Sequence, residues 1–235
     1  PTFNSESTIR QCLNSILSQT YKCYEVLIID CLSTDDTIHI VSEYAESNPS
    51  IKWVSRRDEG IYDAMNKGIT MAKGDWLYFL GSDDELYDGN VLMNVLMVPD
   101  LDQWQMVYGK ALVIPNQWIT PLNNTFDDIV NANLCHQAIF YSKDLFRKWK
   151  YDQRLKMLAD WDLNLRVFAN HFPRIRSVDV FVCRFLNLGI SSSWRTSNEF
   201  ITNFSDKKKV YFKYLPWYRA CFKIARDMLA LFAFV

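Results

Sequence analysis

The chain has 235 residues, of which 49% are hydrophobic and 23% are charged, and its formal net charge is −1. This length and apolar content predict one large globular domain, or a domain with a small extension, and exclude a disordered chain. The near-neutral charge removes the electrostatic basis for nucleic-acid binding. The six cysteines are dispersed, with no CxxC and no Cys/His cluster, which argues against a zinc site or a disulfide framework and favours a reducing, cytoplasmic setting.

The N-terminal part of the sequence alternates between strand and helix patterns. Short apolar runs predict strands at Tyr24–Asp30, Ile51–Ser55 and Trp76–Leu80. Between them, apolar residues recur at helical spacing from Ile9 to Leu17, from Ile38 to Ala45 and from Ile61 to Ala72. This alternation predicts right-handed βαβ units and a parallel sheet, which is the architecture of a nucleotide-binding half.

The strongest chemical signal follows the third predicted strand. The apolar run Trp76–Leu80 stops at Gly81-Ser82, and two adjacent carboxylates follow at Asp83 and Asp84. In open α/β sheets, ligands bind just beyond the carboxyl ends of the strands. Two neighbouring acids there repel each other unless a cation or a shared proton neutralises them, and oxygen ligands suit Mg²⁺ or Mn²⁺. The alternative, a helix cap or a solvated turn, stays open on these residues alone.

The second half is less regular. Strands are predicted at Val107–Ile114, Gln117–Thr120, Gln137–Tyr141 and Val178–Phe185, with a turn at Pro115-Asn116 and helices at Ser142–Lys148 and Leu158–Phe168. Leu188–Trp194 is a polar loop, and its Gly189–Ser193 part is a candidate lid over a bound ligand.

The C-terminal segment, residues 196–235, is predicted to be a helical extension that is basic and aromatic. Lys207-Lys208-Lys209 opens a stretch of interleaved cations and aromatic rings, and the chain ends in the apolar run Met228–Val235. This pattern suits a helix on an anionic membrane surface, although the apolar run is too short to span a bilayer. A helix packed on the domain with a solvated basic face is the other interpretation.

The order of these segments resembles family 2 glycosyltransferases with a GT-A fold, and among them bacterial enzymes of exopolysaccharide and O-antigen synthesis (the colanic-acid type). The resemblance runs from Pro1 to about Ser193. It rests on Pro1–Asn4 (PTFN), Ile29–Thr37 (IDCLSTDDT), Asp58–Gly68 (DEGIYDAMNKG), Gly81–Asp84 (GSDD) and Ala159–Leu163 (ADWDL). The family's opening motif normally ends the first strand, so the resemblance also predicts that the natural N-terminus is missing. Cys31 and Leu32 depart from the family's Asp and Gly, and Gly81 replaces the first acid of the DXD motif.

The resemblance implies a fold and an activity. The fold is an α/β GT-A domain at 1–195, with a Rossmann-like, mostly parallel central sheet flanked by helices, a nucleotide-binding half at 1–98, an acceptor-binding half at 99–195 and the helical extension at 196–235. The activity is inverting, metal-dependent transfer of a sugar from a nucleotide-sugar donor, a UDP-sugar, to a glycan or lipid-linked acceptor in bacterial surface polysaccharide synthesis. The protein would act in the cytoplasm, with peripheral contact at the inner membrane through 207–235.

The resemblance also assigns roles to individual residues. Asp84, with Asp83, is the predicted ligand of Mn²⁺ or Mg²⁺, and Asp160 is the predicted catalytic base, with Asp162 as its rival and a helix cap as its structural alternative. The predicted donor-binding residues are Thr2, Asn4, Asp30, Asp58, Tyr62, Asn66, Lys67 and Asp83. His136 and Trp161 are candidates for the acceptor site. An ordinary hydrogen-bonded residue is the alternative for His136, and a place in the core is an equal alternative for Trp161.

Two other classes of function remain as alternatives. A nucleotidyl or phosphoryl transferase could use the same metal and diphosphate geometry, but the chain has only seven glycines and no glycine-rich phosphate loop. A catalytically silent nucleotide-sugar-binding module would bind donor and metal without turnover, and the presence of Asp160 argues against it.

Overall fold

The computed structural model describes residues 1–122, 125–171, 174–186 and 197–232. The polar loop predicted at Leu188–Trp194, with its candidate lid, lies outside the described residues.

The N-terminal half follows the predicted alternation of helices and strands. Its elements are α1 (Ile9–Leu17), β1 (Val26–Asp30), α2 (Thr37–Ser47), β2 (Ile51–Ser55), α3 (Ile61–Met71), β3 (Trp76–Tyr78), β4 (Glu85–Leu86) and α4 (Val91–Leu96). The predicted strand at Ile51–Ser55 is confirmed residue for residue. Strand β3 ends two residues earlier than the apolar run, because the chain turns toward the acidic residues after Tyr78.

The second half contains the remaining elements of the described chain. They are β5 (Met106–Ile114), β6 (Trp118–Ile119), α5 (Phe126–Asn131), β7 (Ile139–Ser142), α6 (Lys143–Lys148), α7 (Ala159–His171), β8 (Ile175–Leu186), α8 (Ser197–Tyr214) and α9 (Trp217–Phe232). The strand predicted at Gln137–Tyr141 begins only at Ile139, because His136–Ala138 forms a 3₁₀ turn. The predicted C-terminal helical extension is present as α8 and α9.

The strands form a mixed set of ladders. Strands β1 and β2 pair in parallel, and Thr2 adds a parallel bridge to Asp30 on the other edge of β1. The larger sheet has the order β3-β7-β5-β8-β4, with β6 paired to β5. In it, β5 and β8 are parallel, whereas the other ladders are antiparallel. The parallel pairing predicted from the alternation therefore holds for the N-terminal βαβ unit and for β5 with β8.

A cavity of about 1070 Å³ lies between β1 and β3. It is lined by both strands and by apolar side chains of α1 and α3, including Leu13 and Met65. Within the described ranges, β1 and β3 share no hydrogen-bonded ladder. Thr2, which donates its N–H to the Ile29 carbonyl and accepts from the Cys31 N–H, also lines this cavity. The two sheets are therefore joined here through helices rather than through strand pairing.

The C-terminal helices pack into the main core. Val210, Tyr211, Leu215 and Ala220 are buried together with Trp161 and other residues of α7. Within the described ranges, none of the helices combines the length and hydropathy that crossing a bilayer requires. Part of the C-terminal extension therefore contributes to the core of the domain.

Candidate active site

The turn after β3 places Asp84 inside the protein. The Asp84 N–H donates to the Gly81 carbonyl at 3.1 Å, and the Asp84 side chain is only 1% exposed. Its Oδ2 accepts from the Gln137 amide at 2.9 Å, and its Oδ1 accepts from the Leu186 N–H at 2.9 Å. Both donors are neutral. No salt bridge reaches this carboxylate within the part of the chain that the structure describes.

Burial, and then the charge of neighbouring Asp83, raise the pKa of Asp84 to about 7. Desolvation disfavours the charged form of a carboxyl group, and a second carboxylate beside it acts in the same direction. The described residues place no cationic side chain against Asp84. Its carboxyl group is therefore either ionised without a positive partner or protonated. A bound divalent ion would supply the missing positive charge.

Gly81 explains how two carboxylates fit at this strand end. A Cβ atom on Gly81 would lie 2.6 Å from Asp84 Oδ2 and 2.7 Å from Asp83 Oδ1. The two oxygens therefore converge on the space that a side chain would fill. Hard carboxylate oxygens around such a cradle fit Mg²⁺ or Mn²⁺, which keep coordination positions for phosphate oxygens and water. In the described ranges no three His, Cys, Asp or Glu side chains form a metal cluster.

Asp160 lies in the first turn of α7, where the helix dipole favours a negative charge. Its Oδ1 accepts from the Tyr62 hydroxyl at 2.7 Å, and its Oδ2 accepts from the Asn133 amide at 2.7 Å. The carboxylate is only partly buried. It is therefore held in one orientation while a lone pair can still reach a ligand, as a general base requires.

Asp162 has a different environment, although it is only two residues away. It is fully buried, forms salt bridges with Arg166 and Lys213, and accepts from the Tyr214 hydroxyl at 2.9 Å. These contacts tie α7 to α8. The geometry therefore separates the two rivals: Asp160 is available to a ligand, and Asp162 is a structural anchor.

One short segment contacts both candidate carboxylates. Asn133 donates to Asp160, and Gln137 donates to Asp84. Four residues of chain span at most about 14 Å, so both carboxylates lie close to the same segment. His136 lies between Asn133 and Gln137 in sequence and forms a hydrogen bond with the Tyr151 hydroxyl at 2.7 Å. Burial lowers the pKa of His136, so the ring is neutral and serves as a hydrogen-bonding partner rather than a cation.

The predicted donor-binding residues near β1 differ in their availability. Thr2 is buried, and its Oγ1 has no hydrogen-bond partner among the described residues. Asn4 uses its Oδ1 to accept from the Thr34 N–H at 2.9 Å. Asp30 is fully buried and accepts from the Ser33 N–H at 3.0 Å and from the Ser55 hydroxyl. Thr2 is therefore the residue with an unmet polar group, and Asp30 holds the loops at the strand ends.

Leu32, which departs from the family pattern, has a φ of 55° and is 52% exposed. A leucine in the left-handed region costs about 1–2 kcal/mol, whereas glycine does not. Leu32 therefore adopts, at the cost of some strain, a backbone conformation that glycine adopts freely.

The second donor-binding segment surrounds the start of α3. Asp58 accepts from the Gly60 N–H at 2.9 Å, and Gly60 has a φ of 123°, which glycine tolerates. This turn directs Tyr62 toward Asp160. Asn66 pairs with the backbone N–H and carbonyl of Tyr151, each at 3.0 Å, and Lys67 contacts Asp63 at 2.9 Å. Tyr62 and Asn66 thus contact the protein itself, and their role toward a donor stays a prediction.

The position of Trp161 favours the core alternative. The ring is 5% exposed and packs edge-to-face on Tyr211, and its indole N–H donates to the Ile129 carbonyl at 2.7 Å. A sugar could reach neither face of the ring in this conformation. The expectation that Trp161 stacks an acceptor is therefore not supported by its contacts.

Sequence reasoning did not identify Asn133 as a functional candidate. Asn133 follows α5 in an irregular segment, so no periodicity marks it, and its partner Asp160 is 27 residues away. Gln137 is predicted as the first residue of a strand, and its contact with Asp84, 53 residues away, requires the folded chain.

Comparison with known proteins identifies similar sequences. The family described as "Glycosyl transferase family 2" matches residues 1–98. A "PGL/p-HBAD biosynthesis glycosyltransferase" of Mycobacterium tuberculosis is 35% identical over 205 residues, which cover 86% of this chain and 80% of that protein. "Chondroitin synthase" of Escherichia coli is 36% identical over 184 residues, which cover 71% of this chain and 25% of that protein.

Solved structures show the same fold at low sequence identity. TarS 1-349 of S. aureus in complex with UDP-GlcNAc has a TM-score of 0.75 at 20% identity, over 90% of this chain and 64% of that chain. The mannosyltransferase PcManGT of Pyrobaculum calidifontis, in complex with GDP-Man and Mn²⁺, has a TM-score of 0.66 at 18% identity, over 91% of this chain and 61% of that chain. The chain thus spans less than two thirds of these structures, and the predicted fold class is confirmed.

Proposed function

The chain belongs to glycosyl transferase family 2, and from this premise we propose that it transfers a sugar from a nucleotide-sugar donor to a hydroxyl acceptor with inversion at the anomeric carbon. The observation that carries the proposal is the pair of carboxylate environments on either side of segment 133–137. Among the described residues no cationic side chain pairs with Asp84 beside Asp83, and Asp160 accepts from the neutral donors Tyr62 and Asn133 with a lone pair still available.

Asp84 and Asp83 would hold a divalent ion, Mn²⁺ or Mg²⁺. When bound, that ion supplies positive charge against the diphosphate that leaves the donor. The convergence of the two carboxylate oxygens over Gly81 and the raised pKa of Asp84 support this role. The buried Thr2 Oγ1, which has no described partner, supports a donor contact at the edge of β1.

Asp160 would accept the proton of the acceptor hydroxyl as that oxygen attacks the anomeric carbon. One displacement with a base and no covalent intermediate inverts the anomeric centre, as in glycosidases whose base activates water. Burial of Asp162 in its ion cluster supports Asp160 rather than Asp162 as this base.

A UDP-sugar is the proposed donor and a glycan or lipid-linked sugar of bacterial surface polysaccharide the proposed acceptor. Support comes from the resemblance of the motifs and from the names of the relatives, one a glycosyltransferase of PGL/p-HBAD biosynthesis and another a chondroitin synthase. A structural neighbour that binds UDP-GlcNAc and another that binds GDP-Man leave both nucleotides to be tested.

The test is release of nucleoside diphosphate from a panel of UDP-, GDP- and dTDP-sugars with Mn²⁺, with Mg²⁺ and with EDTA. Asp160→Asn should lower kcat by about 10³-fold, because a positioned base contributes roughly 10²–10⁴-fold, while donor affinity stays unchanged. Asp162→Asn is the matched control at the neighbouring acid, compared at a temperature where it remains folded. Donor binding without turnover on any acceptor or water would favour the silent binding module. Absence of nucleotide-sugar binding would contradict the proposal.

We also propose that α9 contacts an anionic membrane surface. It lies within the segment 207–235, for which the sequence predicts membrane contact. Its large apolar side chains are exposed: Trp217 74%, Tyr218 59%, Phe222 70% and Leu229 69%. The helices α8 and α9, with the turn between them, carry seven basic and three acidic residues. An exposed apolar face with a basic excess suits an interfacial helix.

Flotation with phosphatidylglycerol vesicles tests the membrane proposal. The wild type should float with these vesicles, and Phe222→Glu with Leu229→Glu should not; vesicles of phosphatidylcholine alone should bind less. Concentration-dependent dimers that the double variant abolishes, without flotation, would assign the face to a second copy instead.

A further inference from the structure

The Tyr62 hydroxyl lies between two acceptors. Its oxygen is 2.7 Å from Asp160 Oδ1 and 2.8 Å from the Met157 carbonyl oxygen. A phenol has one proton, so it can donate to only one of these acceptors at a time. Burial raises the pKa of Tyr62 well above its usual value, so the proton is retained. The hydroxyl therefore has two alternative orientations, whose hydrogen bonds have similar lengths.

We propose that Tyr62 is a positioning residue whose hydroxyl donates to Asp160 while this side chain is a carboxylate and rotates to the Met157 carbonyl when Asp160 is protonated. This inference rests on the proposed function, in which Asp160 is the base. In the step itself, the O–H bond of the acceptor breaks, its proton bonds to Asp160, and the acceptor oxygen uses its electron pair to bond the anomeric carbon. The nucleoside diphosphate leaves with the electron pair of the broken glycosyl bond, and Tyr62 keeps its proton throughout.

The rotation matters because a buried donor without an acceptor is costly. A carboxylate is a stronger acceptor than a carbonyl, so the first orientation is favoured before proton transfer. Once Asp160 is neutral, that advantage is lost, and the Met157 carbonyl still satisfies the hydroxyl. The site can therefore hold Asp160 in both protonation states without leaving Tyr62 unpaired.

Asn133, the second donor to Asp160, has no comparable freedom. The Tyr141 hydroxyl donates to Asn164 Oδ1 at 2.6 Å, and Asn164 Nδ2 donates to Asn133 Oδ1 at 2.8 Å. The Asn133 amide group must then present its Nδ2 to Asp160 Oδ2. Tyr141 and Asn164 are fully buried, and burial raises the pKa of Tyr141 well above its usual value, so Tyr141 keeps the proton that it donates to Asn164. Asp160 thus has one fixed donor and one switchable donor.

The groups that face Asp160 keep their charge states near neutral pH. They are Tyr62, Tyr141, Tyr151 and His136. Burial raises the pKa of each of the three tyrosines and lowers that of His136. Asp84, whose pKa is raised to about 7, is the same in the wild type and in Tyr62→Phe, so a difference between their pH profiles reports on the surroundings of Asp160.

The experiment measures kcat and donor KM of Tyr62→Phe from pH 5 to 9 with the donor that the nucleotide-sugar panel selects. Loss of one hydrogen bond to the carboxylate should move the acid limb of the kcat profile upward by about one pH unit. The kcat deficit should be about tenfold at low pH and shrink toward pH 9, with an unchanged donor KM. Tyr211→Phe removes a hydroxyl from an equally buried tyrosine that contacts Asp227 instead, and should leave the profile in place.

Replacement of Tyr62 by 3-fluorotyrosine, which retains the ring and is a stronger donor, should move the acid limb in the opposite direction. It also keeps the test decisive if Tyr62→Phe does not fold. A deficit that is the same at every pH, a rise in donor KM, or an unchanged profile with both substitutions would overturn the proposal.

A second measurement does not depend on turnover. In protein labelled with ¹³C-aspartate, the Asp160 carboxyl resonance is assigned by its absence from Asp160→Asn, and its titration midpoint should rise in Tyr62→Phe. If the wild type turns over no nucleotide sugar, the proposed function fails. The midpoint still decides whether Tyr62 stabilises the carboxylate, and an unchanged midpoint would overturn that part.

Discussion

Asp84 and Asp162 are two equally buried aspartates with opposite electrostatic environments. Each is within two residues of another candidate acid, and their side chains are 1% and 0% exposed. Asp162 faces Arg166, Lys213 and the Tyr214 hydroxyl. Among the described residues, Asp84 receives neutral N–H donors, including those of Gln137 and Leu186, and no salt bridge.

The comparison shows that burial alone does not identify a functional carboxylate. Removing a charge from water is expensive, and the protein compensates it at Asp162 with its own cations. At Asp84 the described residues supply no cation, and the pKa rises to about 7. The carboxylate whose charge is left uncompensated is the one that a divalent ion would complete.

The largest expected effect is the pH dependence of stability at Asp84. The pKa of Asp84 is about 7 in the folded protein, and its reference value of 3.8 applies to the unfolded chain. As the pH rises, the unfolded chain therefore loses the carboxyl proton first. Stability is therefore lost between about pH 4 and pH 7, and this loss amounts to about 4 kcal/mol at pH 8. Asp84→Asn lacks this loss and should match the wild type at pH 4 but be more stable at pH 8. Urea unfolding of the two proteins in EDTA at pH 4 and at pH 8 measures these stabilities.

Mn²⁺ with UDP should reduce the difference between wild type and Asp84→Asn at pH 8, because only the wild type has the charge that the ion neutralises. A stability difference that stays constant from pH 4 to pH 8 would show that Asp84 is compensated by the protein, as Asp162 is.

The next effect has the opposite sign. Asp162→Ala should lower the free energy of unfolding by about 3 kcal/mol, because Arg166 would lose its partner in a largely buried position. Asp127→Ala, which removes an exposed partner of Arg219, should cost less than about 1 kcal/mol. Equal losses in urea unfolding would remove the distinction between the buried cluster and a surface pair.

The smallest expected effect concerns Gly81. Gly81→Ala adds a Cβ atom between the Asp83 and Asp84 oxygens and should lower kcat by about 10²-fold, because displacement by an ångström has effects of that size. Unfolding should change little, since the carboxylates can move apart. Gly74→Ala adds a Cβ atom with an ordinary contact of 3.5 Å to the Trp76 carbonyl and serves as the control. A fully active Gly81→Ala with unchanged Mn²⁺ dependence would contradict the cradle.

Most elements of the N-terminal half could be predicted because their signals are local. The apolar run of β2, the helical spacing of the apolar residues of α2 and the abrupt stop after Trp76–Leu80 each lie within a few residues. The 3₁₀ turn at His136–Ala138 and the short helices α4 and α5 could not be placed in this way, because their patterns are too short to set a period.

The candidate site likewise has features that the local sequence predicts and features that it does not. Asp83, Asp84 and Asp160 stand out in the sequence as acids at the end of a strand pattern and the start of a helix pattern. Asp160 and Asp162 could not be ranked by local pattern, because two residues on a helix point to opposite sides and the pattern does not say which side is enclosed. Lys213, 51 residues further along the chain, encloses Asp162.

The sequence by itself therefore determined which residue types stand at the ends of the elements, because hydrophobic periodicity and turn chemistry act over short distances. Only the tertiary structure decided which carboxylates receive cations, which receive neutral donors and which keep a free lone pair. These properties depend on partners such as Gln137, Asn133 and Lys213, brought in from 27 to 53 residues away, and on burial, which no local pattern encodes.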